Sequence, residues 1–167
     1  MLDELIPLFQ RDFLLSLIMD STHYVIIVAG GTGKRMNSSI PKQFLEVHEK
    51  PIILHTIERF LEADCSIHFV ISLHKDYLEY WSELLIRHNL SFSHTVVEGG
   101  SERFFSVQNA LGIVPNKSIV GIHDSVRPLV SKQTILNCFE TAKSHNSAIP
   151  IVDSVNSLRF VSLARNE

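Results

Sequence analysis

Glycines and cations follow an apolar stretch near the start of the chain. The run Tyr24–Val28 leads into the sequence AGGTGKR at Ala29–Arg35, and Lys42 follows within PKQF behind Pro41, which stiffens its approach. Glycines let backbone N–H groups approach an anion closely, arginine offers a planar fork of donors, and lysine offers a compact charge. The loop can therefore wrap a triphosphate, although a glycine-rich turn with solvated cations has the same composition.

Neither of the common phosphate-binding motifs fits this loop. In the dinucleotide fingerprint G-x-G-x-x-G, Met36 stands where the closing glycine belongs. The fingerprint also requires an acidic residue near the end of the second strand, where this sequence has Leu73 and His74. In the P-loop G-x-x-x-x-G-K-[ST], Val28 stands at the first glycine and Arg35 at the hydroxyl. The pattern favours a phosphate loop of a different kind.

A second glycine pair opens a later helix in the sequence GGSERFFSVQNAL at Gly99–Leu111. Ser101 and Glu102 can cap the helix, while Arg103 and Ser106 are three residues apart and so share a helical face near a base or phosphate. A capped helix with Arg103 in a surface ion pair is the alternative interpretation.

The sequence HDSVRP at His123–Pro128 follows another buried-type strand. Asp124 in this position can hold Mg²⁺ directly or through water, and Arg127 can bind a second phosphate. A structural pair between Asp124 and Arg127 would use the same residues.

Strand and helix patterns alternate along the chain, which predicts an α/β fold with a mostly parallel sheet and helices on both faces. The ligand of such a sheet lies beyond the carboxyl ends of its strands, where all three loops occur. Strands are predicted at 24–28, 67–73, 94–97, 119–122 and 148–152, and helices at 52–62, 75–88, 102–112 and 132–145.

The composition excludes several classes of protein. The 167 residues, of which 45% are hydrophobic and 20% charged, suit one globular domain, and a net charge of −3 provides no general field for nucleic acid. Cys65 and Cys138 are far apart and the histidines form no metal-ligand array. The apolar cluster Phe13–Met19 is too short to span a membrane, so we expect a cytoplasmic setting without membrane or nucleic-acid partners.

The ordered set AGGTGKRM, PKQF, GGSERFFSVQNAL and HDSVRPLV resembles the 2-C-methyl-D-erythritol 4-phosphate cytidylyltransferase family of the non-mevalonate isoprenoid pathway, over Tyr24–Val152. The resemblance implies a Rossmann-like nucleotidyltransferase fold and an enzyme that transfers a cytidylyl group from CTP to the polyol phosphate, with Mg²⁺ and release of pyrophosphate. It also implies a homodimer.

The same resemblance assigns roles to residues. Arg35 and Lys42 match the two cations that stabilise the transition state, Asp124 matches the acid near the metal, and Asp124 with Arg127 matches the substrate-binding pair. The nucleotide would be bound by Ala29, Gly30, Gly31, Gly33, Gly100, Arg103, Ser106, Asp124 and Ser125.

The chain departs from the family pattern after its fifth predicted strand. The family motif P-x-x-D-T reads PIVDSVNS here, so that Ser154 or Ser157 takes the position of the threonine. We expect an N-terminal extension at 1–20 with Met19 as an alternative start, a nucleotide-binding domain at 21–152, and the start of an incomplete arm at 153–167. A sheet truncated in this way predicts little or no turnover.

Two other functions use the same residues. Ribitol-5-phosphate cytidylyltransferases share PKQF and a similar HD-x-VRP, although SVQNAL favours the methylerythritol enzyme. A non-catalytic CTP-binding module would keep the first loop without the distal substrate residues.

Overall fold

The computed structural model describes residues 23–31 and 40–153. Several predicted features lie outside these residues: the extension at 1–20, Gly33, Arg35, Ser154, Ser157 and the arm beyond Asp153.

The centre of the described fold is a parallel sheet of β1 (His23–Ala29), β4 (His68–Leu73), β5 (His94–Glu98) and β6 (Ile119–Asp124). These four strands lie in the order β5-β4-β1-β6. Two short strands, β2 (Glu46–Val47) and β3 (Lys50–Pro51), form a separate antiparallel ribbon. β1 and β4 are rich in β-branched and apolar residues because both of their faces are buried. The chain passes from β1 outward to β5 and then returns to β6 on the other side of β1. The direction in which strands are added therefore reverses between β1 and β6. Ligands of α/β sheets bind beyond the carboxyl ends of the strands at such a point.

Helices cover the two faces of the sheet unequally. They are α1 (Ile52–Ala63), α2 (Leu78–Arg87), α3 (Arg103–Leu111) and α4 (Lys132–His145). One face packs a large core against α1, α2 and α4, with Ile57, Trp81 and Phe139 among its buried members. The other face packs a small core of Ile26, Val70 and Ala110 beneath α3. The predicted α/β fold, with a parallel sheet between helices, is confirmed.

The prediction of a fifth strand at Ala148–Val152 is wrong. Residues 147–153 have no regular secondary structure, and the exposed fractions of Ile149, Ile151 and Val152 are 84%, 90% and 94%. In the described sheet β6 pairs only with β1, and its outer edge is open, but residues 147–153 do not pair with that edge. Residues of β6 and of the segment 146–150 both line a cavity of about 870 Å³. An apolar run becomes a strand only where it lies against a strand that completes its hydrogen bonds.

No helix within the described ranges is long and apolar enough to cross a membrane.

Candidate functional site

The loops after β1 and β5 meet at the carboxyl edge of the sheet, and they meet through glycine. A Cβ atom placed on Gly99 would lie 3.0 Å from the Cα of Gly30, and one placed on Gly30 would lie 3.0 Å from the Oγ of Ser106. A Cβ contact at 3.0 Å is tighter than nearly all real ones, so a side chain at either glycine would push its neighbour away by a few tenths of an ångström. The sequence GG in each loop therefore allows the two backbones to approach each other. This contact joins the AGGTGKR loop after β1 to the GGSERFFSVQNAL loop after β5.

Gln43 fixes the first loop from the side. Its Nε2 donates to the carbonyl oxygen of Ala29 at 2.7 Å and to that of Gly31 at 3.0 Å. Gln43 lies in a 3₁₀ turn at Lys42–Phe44 and is only 5% exposed, so the amide is held in place by its burial. The PKQF motif thus determines the conformation of the glycine loop through its glutamine.

Ser106 holds the second glycine loop against α3. Its buried Oγ accepts from the backbone N–H of Gly100 at 3.1 Å and donates to the carbonyl oxygen of Glu102 at 3.1 Å. A Cβ atom on Gly100 would lie 2.2 Å from the Cβ of Phe105, so this position accepts glycine alone. Glu102 is the N-cap residue, at the position predicted for Ser101 and Glu102, but no side chain of the described residues makes a capping hydrogen bond.

Asp124 of the HDSVRP loop forms ion pairs with Arg103 of the GGSERFFSVQNAL segment and with Arg127 of its own loop. Arg103 donates from Nε and Nη2 to Oδ1, each at 3.2 Å, and Arg127 donates from Nε to Oδ2 at 2.8 Å. Partial burial acts to raise the pKa of Asp124, but the hydrogen bonds and charges of the two arginines outweigh it and hold this pKa below its usual range. The carboxylate is therefore ionised at neutral pH. Both ion pairs that the sequence left as structural alternatives are present, and they share one acid.

The third loop is also tied to the sheet and to α1. The backbone N–H of Ser125 donates to the carbonyl oxygen of Val28 at 3.2 Å, and the carbonyl oxygen of Ser125 accepts from Thr56 Oγ1 at 2.9 Å. His123 Nε2 lies 3.0 Å from the carbonyl oxygen of Arg127, to which it donates. These bonds fix the direction in which the chain leaves β6, and they leave His123 in a structural role.

The structure brings most of the predicted site residues to one edge. Ala29, Gly30, Gly100, Arg103, Ser106, Asp124, Ser125 and Arg127 all belong to the ends of β1, β5 and β6 or to the start of α3. Gly31 and Lys42 are exposed beside them, Lys42 on the turn that contains Gln43. The predicted Gly33 and Arg35 are outside the described residues.

Sequence reasoning missed the parts played by Gln43 and Thr56. Thr56 is a buried polar residue on the apolar stripe of α1, and that interruption was the available signal. Gln43 lies inside the quoted PKQF motif, but its spacing gives no hint that it faces the glycine loop. Both residues bind backbone carbonyl oxygens, and such partners leave no trace in the sequence.

The site combines backbone and cations in a way that suits a phosphate ligand. Arg103 and Arg127 have side chains that are 59% and 73% exposed, so their guanidinium groups reach solvent. Across 23–31 and 40–153, no group of three or more His, Cys, Asp or Glu side chains could hold a metal ion by itself. A divalent cation at Asp124 would therefore need further ligands from the phosphates of a bound nucleotide, as is usual for Mg²⁺.

Comparison with known proteins relates the chain to one family. The sequence model described as IspD, 2-C-methyl-D-erythritol 4-phosphate cytidylyltransferase, matches residues 23–163. The enzyme of that name from Bacteroides thetaiotaomicron is 43% identical over 143 residues, which make up 86% of this chain and 65% of the relative. The one from Phocaeicola vulgatus is 41% identical over 144 residues, 86% of this chain and 66% of the relative. The chain thus spans about two thirds of the length of these relatives.

Solved structures show the same fold. The 4-diphosphocytidyl-2C-methyl-D-erythritol synthase from Anaerococcus prevotii aligns with a TM-score of 0.60 at 21% identity, covering 72% of this chain and 51% of that one. The bifunctional IspDF from Campylobacter jejuni aligns with a TM-score of 0.61 at 23% identity, covering 73% of this chain and 31% of that one.

Proposed function

Because the chain belongs to the 2-C-methyl-D-erythritol 4-phosphate cytidylyltransferase family, we propose that it binds CTP and transfers its cytidylyl group to 2-C-methyl-D-erythritol 4-phosphate. The observation that carries the proposal is the convergence of three loops at one edge of the sheet, with the Gly30–Gly99 contact beside Asp124 and its two arginines. The relatives described above are named for this substrate, and we therefore propose it in preference to ribitol-5-phosphate.

The backbone of the glycine loop after β1 is the proposed binding site for the triphosphate. Gln43 occupies the carbonyl oxygens of Ala29 and Gly31, which turns these acceptors away from an incoming anion. The N–H groups of the same short segment are then the polar groups available to phosphate oxygens. Gly33 is proposed to extend this contact. On the other side, Gly100, Arg103 and Ser106 are proposed to surround the cytosine and ribose.

The reaction needs positioning and charge more than a protein nucleophile. A phosphate oxygen of the polyol substrate attacks the α-phosphorus of CTP, the new P–O bond forms, and the bond to the β-phosphate oxygen breaks as pyrophosphate leaves. Arg35 and Lys42 are proposed to neutralise the charge that develops on the transferring phosphoryl group. Lys42 suits this role because its side chain is exposed next to the loop that Gln43 holds.

Asp124 is the proposed contact for Mg²⁺. A single ionised carboxylate suits a cation whose other ligands are nucleotide phosphates and water, and the lowered pKa of Asp124 keeps it ionised. When bound, Mg²⁺ would polarise the phosphate oxygens and offset their charge. Oδ1 of Asp124 accepts two bonds from Arg103, but Oδ2 accepts only one from Arg127 and keeps a second lone pair, so direct or water-mediated contact through Oδ2 is compatible with the ion pairs.

Arg127 is proposed to bind the phosphate of the polyol substrate. Its guanidinium group uses only Nε to reach Asp124, and its side chain is 73% exposed. The two terminal nitrogens are therefore directed to solvent or to a ligand, and a guanidinium fork binds phosphate with two parallel hydrogen bonds.

Nucleotide binding provides the first test. We expect calorimetry to show tighter binding of CTP than of ATP or GTP in the presence of Mg²⁺, and weaker binding of CTP after Lys42→Ala. Lys132→Ala is the matched control, because Lys132 is an exposed lysine at the start of α4 and belongs to none of the three loops. Equal binding of all three nucleotides, or no binding, would contradict the cytidylyl assignment.

Turnover provides the second test. Release of pyrophosphate is measured with CTP and either 2-C-methyl-D-erythritol 4-phosphate or ribitol-5-phosphate. Release with the first substrate that is lost after Arg35→Ala or Asp124→Asn would support the proposed reaction at this site, and it would overturn the expectation of little or no turnover. A higher rate with ribitol-5-phosphate would assign the other substrate to the same site.

We also propose the homodimeric assembly that the family resemblance implies and the cytoplasmic location expected from the composition. Light scattering of the purified chain would test the first, and cell fractionation the second.

A further inference from the structure

Ser72 lies directly beneath the glycine contact. It is the penultimate residue of β4 and is paired in register with Val28 of β1 on one side and with Val97 of β5 on the other. The loops that follow those two strands are the ones that meet at Gly30 and Gly99. A Cβ atom on Gly99 would lie 3.3 Å from Ser72 Oγ and 3.0 Å from the Cα of Gly30, so the hydroxyl is adjacent to this contact.

The hydroxyl of Ser72 is fully buried and has no hydrogen-bond partner among the residues that the structure describes. Two other buried hydroxyls of the protein differ in this respect. Thr56 donates to backbone carbonyl oxygen, and Ser106 both accepts and donates. A buried polar group without a partner lowers stability, and alanine would fill nearly the same space without that cost. The hydroxyl is thus unfavourable in the ligand-free protein at the point where two ligand-binding loops touch.

Direct contact between Ser72 and a ligand is excluded by its place in the fold. The residue is 0% exposed, and the backbone of Gly99 lies over it. The main chain of Gly99, which lies against Gly30, is adjacent to the hydroxyl. The backbone N–H of Gly99 is already bonded to the carbonyl oxygen of Leu73 at 2.7 Å, so a new bond requires a small shift of a loop.

We propose that Ser72 is a positioning residue for the nucleotide, whose hydroxyl forms a hydrogen bond with the backbone at the Gly30–Gly99 contact when CTP is bound. This inference rests on the proposed function. A group that is unsatisfied in the free protein and satisfied in the complex favours the complex, because the bond contributes only after binding. The two glycine loops then close on the ligand over a hydroxyl that can donate or accept.

The test compares Ser72→Ala and Ser72→Cys with the wild-type chain. CTP affinity is measured by calorimetry with Mg²⁺, and thermal midpoints are measured with and without CTP. We expect Ser72→Ala to weaken CTP binding about 5- to 10-fold, as for loss of one hydrogen bond. The midpoint without CTP should be unchanged or higher. Ser72→Cys, with its weak donor, should also bind more weakly. Ser82→Ala, which removes an exposed hydroxyl from α2, should leave both quantities unchanged.

The outcomes separate this inference from the proposed function. CTP affinity of Ser72→Ala equal to that of the wild type would overturn the inference, and so would a lower thermal midpoint without CTP, since the hydroxyl would then have a partner in the free protein. If the wild-type chain does not prefer CTP over ATP and GTP, the proposed function fails first and the role of Ser72 fails with it.

Discussion

Replacing Gln43 with alanine should destabilise the chain through two carbonyl oxygens. The carbonyl oxygen of Ala29 belongs to a residue that is 2% exposed, so without the amide it is left buried and unsatisfied, which costs about 1–3 kcal/mol. Gly31 is exposed, and water can replace the second bond, whose net contribution is about 0.5–1.5 kcal/mol. The free energy of unfolding should therefore fall by about 1.5–4.5 kcal/mol.

Gln43→Glu should show the same deficit with a dependence on pH. An ionised glutamate has the shape of glutamine but no donor, and its oxygens would face the two carbonyl oxygens. Burial and this repulsion should raise its pKa in the folded state above the unfolded value of about 4.3. A raised pKa means that stability is lost as pH rises from the unfolded to the folded pKa. The deficit relative to wild type should therefore be largest at pH 7 and shrink toward pH 4, where the protonated acid can donate once.

Urea unfolding at pH 7 and at pH 4.5 measures both effects. Gln133 provides the control, because its amide donates to Asn137 Oδ1 at 2.7 Å on the exposed surface of α4. Gln133→Ala should change the free energy of unfolding by no more than about 0.5 kcal/mol. A change of that small size for Gln43→Ala, or a deficit of Gln43→Glu that is independent of pH, would refute the role given to this amide.

Two further predictions follow from the glycines and from the acids. Gly100→Ala should destabilise the chain strongly, because the new methyl group would lie 2.2 Å from the Cβ of Phe105. Gly31→Ala should not, because no atom of the described residues lies within 4 Å of its new methyl group, and thermal unfolding of both variants decides this. The pKa values of Asp124 and Asp64 are lowered, since hydrogen bonds and charges outweigh the effect of burial in each. Their stabilising contributions are thus present above the unfolded pKa of about 3.9 and are lost as pH falls through the folded values. Asp124→Asn should flatten the fall of stability between pH 5 and pH 2, and an unchanged acid profile would contradict this.

The sequence predicted the main elements well because their periodicity is strong. The boundaries of α4 were predicted at Lys132–His145 and are found there, and β1 differs by one residue at each end. The family resemblance drawn from three motifs is also confirmed. The ribbon of β2 and β3 was not predicted, because its turn contains His48 and Glu49 with φ of 50° and 60° and lacks the usual Asn-Gly signal.

The candidate site was predictable as a place but not as a set of contacts. Parallel strands have their carboxyl ends at the same edge of a sheet, and this is enough to predict that the three loops lie together. The sharing of Asp124 by Arg103 and Arg127 depends on the angle at which α3 leaves its loop, which no local pattern encodes. The prediction of a strand at Ala148–Val152 failed for a related reason, since an apolar run does not encode whether it lies against the open edge of a strand such as β6.

The two inner strands of the sheet should be more stable against local opening than the two outer strands beside the site. β1 and β4 have strands on both sides, and residues such as Ile26 and Val70 are 0% exposed, so their amides should exchange with deuterium only through global unfolding. β5 and β6 are the outer strands of the described sheet and should open locally at lower cost. Each of these two strands leads into a ligand-facing loop. A bound nucleotide that spans those loops would slow exchange at the edges of the sheet by opposing local opening, and at its centre by raising the free energy of global unfolding.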